Sequence, residues 1–475
     1  MKLPPSAFLP LSTRLLALPL CALGLRPPAS RAAETTPAAA PISSDGFVLI
    51  DSLDALRGYA PRANVKVRLK PGTYQLDQAS SRNFIAFTGA DSHYDLTGAT
   101  IRVDTELFRR FGVGSGPAGI YCVFALAGDR ITMEGGAFAT YGDKPGIQSR
   151  NKIFNITGAG VVLRNVEVTT AGSSPWGYGS LYGISGGDVR KMNGIRVGWP
   201  ARDVKLIGCR VHMRAMGHAI FVQGAQDTLI EDCHVDGLLR PTNEILAETS
   251  GYAFERNFTT RGRGYVEGVH VGADGKILPD EMISLSEDGI RMYDQSAPGQ
   301  PTGRTTIKDC TVTRMRRGIC TGLSAAGDRV VNCEVRDCVA AGFNASSGDV
   351  LEHCRADAKY AEALCLPYSG SQGAVVELEV LDSRGGLANR LLAVINGQGH
   401  QVVLRTTNPA FIPPGMTVEL ASRNGYAFYQ RTEPVSKGNR LINETPATVV
   451  VFPGGIESTV TSTGPVEKRS PARQP

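Results

Sequence analysis

The chain has 475 residues, a formal net charge of +5, 20% charged residues and 55 glycines. The length is enough for a large core. So small a net charge, with no concentrated basic stripe, excludes a nucleic-acid binder of the usual kind.

The N-terminus has basic Lys2 and Arg14, an apolar run from Leu15 to Leu25, and small residues at Ser30 and Ala32. This order is that of an export signal over residues 1–32. The apolar run is too short to span a membrane as a helix. Residues 33–46 then read as a linker, and the mature protein is expected to be secreted or periplasmic, without membrane insertion. Next, "SLDALRGYA" (52–60) predicts a short amphipathic helix, and "VKVRLKPGTYQL" (65–76) a first β coil.

From residue 193 onward one pattern returns: a variable residue, Gly or Ala, an aliphatic residue, a variable residue, an apolar residue. It begins at Asn193, His218, Glu267, Asp288, Arg317, Ala341 and Glu362, in steps of 25, 49, 21, 29, 24 and 21 residues. The 49 is close to two periods, with "TSGYAFERN" (249–257) as the expected coil between. A second strand follows many units, as in "DVKLIGCRVHM", "DTLIEDCHVDG", "RTTIKDCTVTR" and "DRVVNCEVRDC". Short β-rich runs alternating with period two, separated by Gly, Asp and Asn, favour strands over helices. A strand pattern with this period predicts an all-β, single-stranded, right-handed parallel β-helix over residues 47–455, whose equivalent residues stack in columns about 4.8 Å apart. The helix at 52–60 would cap its open end. Residues 456–475 read as a disordered tail.

The first coil, ending in Pro-Gly-Thr-Tyr (71–74), "DRITMEGGAF" (129–138) and the Cys-x-Val strands resemble the pectate-lyase-like superfamily of right-handed β-helices. That superfamily holds polysaccharide lyases and glycoside hydrolases, so the resemblance implies an extracellular polysaccharide as partner. The catalytic signatures of its polygalacturonases and mannuronan epimerases are missing, so no catalytic residue carries over.

Nine cysteines remain after the signal. Cys209, Cys233, Cys310, Cys333 and Cys354 share one place in the repeat, and no metal-type spacing occurs. They read as small buried thiols, with disulfides between neighbouring coils as the alternative.

Successive side chains of a strand face opposite sides. With the aliphatic third place in the core, the fourth place (Arg196, Phe221, His270, Arg291, Cys320, Asn344, Cys365) points outward. Coils 190–296 therefore carry basic, acidic and aromatic groups on one strip, flanked by the longest loops. Two chemistries fit. In β-elimination of an acidic polysaccharide, favoured here, His218 or His270 serves as base and Arg196 and Arg291 hold the uronate carboxylate. In glycoside hydrolysis, Glu267 and Asp288 form a carboxylate pair. Lys191, Asn193, Arg196, Gln223, Tyr293 and Asp294 are candidate substrate contacts, and Trp176 and Tyr178 candidate sugar-stacking rings. No metal ligand is assigned and no cofactor is required; calcium at Asp280-Glu281 with Glu287-Asp288 has no loop spacing to support it. A non-catalytic polysaccharide-binding β-helix is the third reading. Sugar, linkage and oligomeric state stay open in the sequence.

Overall fold

The structure is a computed structural model. It describes residues 41–77, 83–108, 121–143, 151–183, 189–260, 270–324, 327–386, 389–429 and 432–469. The predicted signal segment lies outside the described residues.

The chain winds as a right-handed parallel β-helix. One long face is a thirteen-stranded parallel sheet running from Asn83–Phe87 through Met192–Gly198, Ile220–Gln223, Asp288–Met292 and Arg317–Cys320 to Val466–Lys468. The remaining faces are two further parallel ladders. The predicted cap is present: helix Leu53–Tyr59 begins at Ser52, whose Oγ accepts the Ala55 N–H, and it buries Leu53 and Leu56.

The core is a set of stacked columns. Ile195, Ile220, Ile290, Ile319, Phe343 and Leu364 occupy consecutive rungs of the long sheet, and all are buried. Phe87, Phe124, Phe138 and Phe154 pack with centroids 4.7–5.8 Å apart in the N-terminal coils.

In the middle coils the second strand turns sharply, and from the coil of Thr132–Glu134 to that of Arg329–Val331 it divides in two. The break falls at Asn165, Gly208, Asp232, Asp309, Asn332 and His353, all at φ between +51° and +64°. Gly, Asn, Asp and His tolerate this left-handed region best, which is why they precede the Cys in "GCRV", "DCHV", "DCTV", "NCEV" and "HCRA". The residue after the turn points inward where space is tight, and Cys fills it. Cys209, Cys233, Cys310, Cys333 and Cys354 are buried free thiols, and the Cys233 and Cys310 N–H groups each donate to the next coil's Sγ at 3.4 Å. At Val350–Ala356 the two ladders merge into one longer strand.

Three sequence expectations need correction. The rung after Ile220–Gln223 is Asp288–Met292, so the coil expected at 249–257 does not stand between them, and the start of the unit expected at 267–271 lies outside the described residues. Residues 238–260 and 270–285 instead form a lobe beside the sheet, closed by Leu239–Pro241 against antiparallel Met282–Ser284 and packed around Tyr182, Met216, Ile245, Ile283 and Leu285. The ordered chain begins before residue 47: Leu49 N–H donates to Pro41 O in a short antiparallel turn, inside the stretch read as linker. It also ends later. Thr459–Ser462 and Val466–Lys468 extend both faces into the expected tail, with Val460 in register with Leu441 and Val466 with Val449.

Ile290 sits mid-column at full burial. Ile290→Ala should destabilise the protein by about 2–5 kcal/mol, read as a lower denaturant midpoint at unchanged slope.

Candidate functional site

The strip on the outer face of the long sheet forms because of what happens at the Gly place. A Cβ on Gly289 would lie 2.3 Å from Val312 Cγ1, and one on Gly318 2.3 Å from Val335 Cγ1. The second place thus faces the core, directly over the valine of the Cys-x-Val strand. The third place faces the core as well, so the alternation breaks there, and the first and fourth places both turn to the outer face. Asp288 and Arg291 can then meet: Arg291 Nη1 lies 2.7 Å from Asp288 Oδ2.

Asp288 is the centre of the arrangement, with 0% exposure. Arg317 reaches both of its oxygens from the next rung, through Nε at 2.8 Å and Nη2 at 2.7 Å, and Arg316 Nη2 adds a contact at 3.0 Å. Burial alone would push this carboxyl up, but the three guanidinium groups hold it well below the usual range. Beside it, Lys191 Nζ lies 2.7 Å from Glu287 Oε1. Burial opposes ionisation here too, and the ammonium group overrides it, holding Glu287 at about 2. Four cations thus surround two carboxylates.

His218 lies against this cluster. Its Nδ1 accepts the Asp288 N–H at 3.4 Å, while Nε2 faces Tyr293 Oη at 2.9 Å and Glu287 Oε2 at 3.3 Å. Burial draws its imidazole down to about 3, so it is neutral at pH 7. Tyr293 stands in front, half-buried, with the Arg291 guanidinium 4.2 Å from its ring centroid. Burial pushes the Tyr293 phenol above 10.0, and Arg291 works against that rise. Phe221, one rung away, sits 5.6 Å from the His218 ring and 6.1 Å from Tyr293.

Lys191, His218, Asp288, Arg291 and Tyr293 are therefore brought together. Arg196 and Gln223 lie on the same face, with Arg196 Nε 3.4 Å from Gln223 Oε1. Others are placed differently. His270 is not on the strip; it lies buried in the lobe, its Nε2 3.1 Å from Met282 O. Glu267 falls outside the described residues. A sequence signal marks the difference: true rungs at 218, 288 and 317 are followed by a Cys-x-Val strand, and "VEGVHVGADGKILPDEM" is not. Asn193 is buried and spends its amide on structure, donating to Asn151 O and accepting the His218 N–H. Tyr178 is no sugar platform: at 6% exposure it bonds Glu248 and packs edge-on against Tyr182. Trp176 is exposed on its loop, and Asp294 is exposed at the base of another, accepting the Gln295 N–H. Glu287 and Asp288 are engaged by Lys191 and the arginines. Asp280 accepts from Asn243 at 2.7 Å in the lobe instead. Arg316 and the joint role of Arg317 were hidden in the sequence, because "RMRRG" alone does not say that both side chains converge on the preceding rung.

No protein-family model and no curated protein matches the chain. Solved structures similar to it include an alginate lyase, AlyF-OU02, in complex with G6. It is 14% identical with a TM-score of 0.48, over 90% of this chain and 87% of that one. A PL6 alginate lyase in complex with a trisaccharide is 12% identical with a TM-score of 0.43, over 90% and 87%. PfbA, a surface adhesin of Streptococcus pneumoniae, is 12% identical with a TM-score of 0.41, over 87% and 86%. At identities this low the chemistry has to be read from the residues themselves.

The folded Glu287 carboxyl lies below its ordinary 4.5, so its ion pair stabilises the protein above that pH and the contribution fades as pH falls towards about 2. Glu287→Gln should lower stability at pH 7 and flatten the acid loss between those values, followed by thermal melts across pH. Asp288→Asn leaves three buried guanidinium groups without their carboxylate and should cost about 3–5 kcal/mol at pH 7.

Proposed function

We propose that this chain is an exported polysaccharide lyase that cleaves an acidic polysaccharide by β-elimination across the middle coils, with Tyr293 as the proton-transfer residue. The observation that carries this reading is the Tyr293 hydroxyl held 2.9 Å from a neutral, buried His218 with a guanidinium against the ring. His218 itself is a poor base, being neutral down to about pH 3 and almost wholly enclosed. It serves as a positioning residue. With Nδ1 occupied by the Asp288 N–H, its Nε2–H points to the Tyr293 oxygen at 2.9 Å, nearer than Glu287 Oε2 at 3.3 Å, and stabilises the phenolate.

In this mechanism ionised Tyr293 takes the proton from the carbon next to the uronate carboxyl group. Arg291 holds that carboxylate and stabilises the enolate-like charge, within a cluster where cations outnumber carboxylates. The C–O bond to the leaving sugar breaks as the double bond forms, and Tyr293 returns its proton to the departing oxygen. The Asp288–Arg316–Arg317 network keeps Arg291 in place without touching substrate. Hydrolysis by Glu267 and Asp288 is disfavoured, since a carboxylate caged by three guanidinium groups neither gives nor takes a proton at working pH.

The purified protein, mixed with a panel of uronic-acid polymers, should generate ultraviolet-absorbing unsaturated ends. Tyr293→Phe should lower kcat/KM by about 10²–10⁴-fold while remaining folded. Because the active form is the phenolate and its pKa lies above 10.0, log kcat/KM should climb with a slope near one from pH 7 to 9, with no inflection near 6.5. Reducing ends without absorbance would mark a hydrolase, and binding without products a non-catalytic β-helix.

A further inference from the structure

Arg196 differs from the other cations of the strip. Arg291, Arg316 and Arg317 share Asp288, and Lys191 has Glu287. Arg196 is just as enclosed, at 5% exposure, yet its contacts are neutral: Asn155 Oδ1 at 2.9 Å, Gln223 Oε1 at 3.4 Å and Ser296 Oγ at 3.4 Å. Among the described residues no carboxylate pairs with it. Burial draws its guanidinium down to about 10, opposed only by the Cys122 thiol and by no carboxylate. A desolvated cation without a counter-ion works against folding, and such a group is retained where a ligand supplies the missing charge.

Its position fits a ligand that also reaches Tyr293. Arg196, Phe221 and Arg291 stand on three consecutive rungs in one column, so the two guanidinium-bearing rungs are about 10 Å apart. A few linked sugar rings span that distance. At the exit of the Arg196 strand is Trp199, 49% exposed, the most exposed large aromatic side chain of the described residues. Trp199 and Ser296 flank the same point, since a Cβ on Gly224 would meet Ser296 Cβ at 2.6 Å and Trp199 Cβ at 3.0 Å. A charged anchor with an aromatic plane beside it matches the carboxylate and the apolar ring face of a uronate.

We infer that Arg196, Gln223 and Trp199 form a second carboxylate subsite, which binds a uronate unit away from the bond being cleaved. This rests on the lyase reading for the direction of the chain but not for the anion. Ser296, at long hydrogen-bond distance, is displaced by the carboxylate, and Trp199 stacks on the ring.

The test uses a uronate hexasaccharide and its carboxyl-reduced counterpart. Arg196→Gln should raise KM for the charged hexasaccharide by about tenfold or more with kcat little changed, the signature of one lost charge-assisted contact outside the reacting bond. Trp199→Ala should weaken both oligosaccharides alike. Arg196→Gln should also melt no lower than the parent, which a merely structural arginine would not allow. Arg405→Gln, on another face, controls for loss of charge. An unchanged KM, an equal loss on the carboxyl-reduced sugar, or a collapsed melting temperature would each overturn the subsite. Calorimetry on Tyr293→Phe separates the two readings. If no polymer yields unsaturated product, yet Arg196→Gln in that background weakens hexasaccharide binding, the subsite stands and the reaction fails. If product forms with KM unmoved, the reaction stands and the subsite fails. If neither turnover nor binding occurs, both fall.

Discussion

Where the rungs at 288 and 317 enter the long sheet, a side chain at Gly289 or Gly318 would strike a valine methyl of the adjoining strand, so the second place is held to glycine there. With the second and third places both turned inward, the first and fourth come to lie on the same outer face. Asp288 and Arg291, three residues apart, therefore pair. Stacking at the inter-strand spacing then brings Arg317 from the next rung and His218 from the previous one against the same carboxylate. The polar cluster follows from the steric demand of the coil.

Electrostatics decides what that cluster can do. Burying ionised groups is costly, and the cost is met when each charge has partners at hydrogen-bond distance. Glu287 and Asp288 have them, so these carboxylates are fixed anions and poor proton carriers. His218 solves the same problem by staying neutral. In the proposed lyase reaction proton transfer falls to Tyr293, which is half-buried and whose oxygen lies 2.9 Å from His218 Nε2. Arg196 solves the problem least well, which is why it is the most informative residue on the strip.

The described part of the lobe, residues 238–260 and 270–285, has an apolar cluster that is joined by Tyr178, Tyr182 and Val189 and packs against Met216 beside the His218 rung. Burial of Glu287, Asp288, Arg316 and Arg317 gives their ion pairs their strength.

Much of this was legible in the sequence. The recurring Gly-aliphatic unit, the Asn/Asp-Cys-x-Val turns and the Ser-capped helix are local features, set by steric limits on one or two residues, and they specify the coil. Strand alternation put Arg196, Phe221 and Arg291 in one outward column, but it also placed His270 between the last two, where the structure has no rung. Counting rungs was harder, because "EGVHV" satisfies the five-residue pattern while the chain around it folds into a lobe; a short pattern cannot say which strand it will pair with. Burial of the supposed surface strip, the three arginines on Asp288, and Arg196 without a carboxylate are products of segments far apart in sequence meeting on neighbouring coils. The sequence by itself determined the repeat and the direction of its side chains, since those depend on nearest neighbours along the chain. Only the tertiary structure decided which charges were paired, because pairing is a matter of distance across rungs and of what covers them.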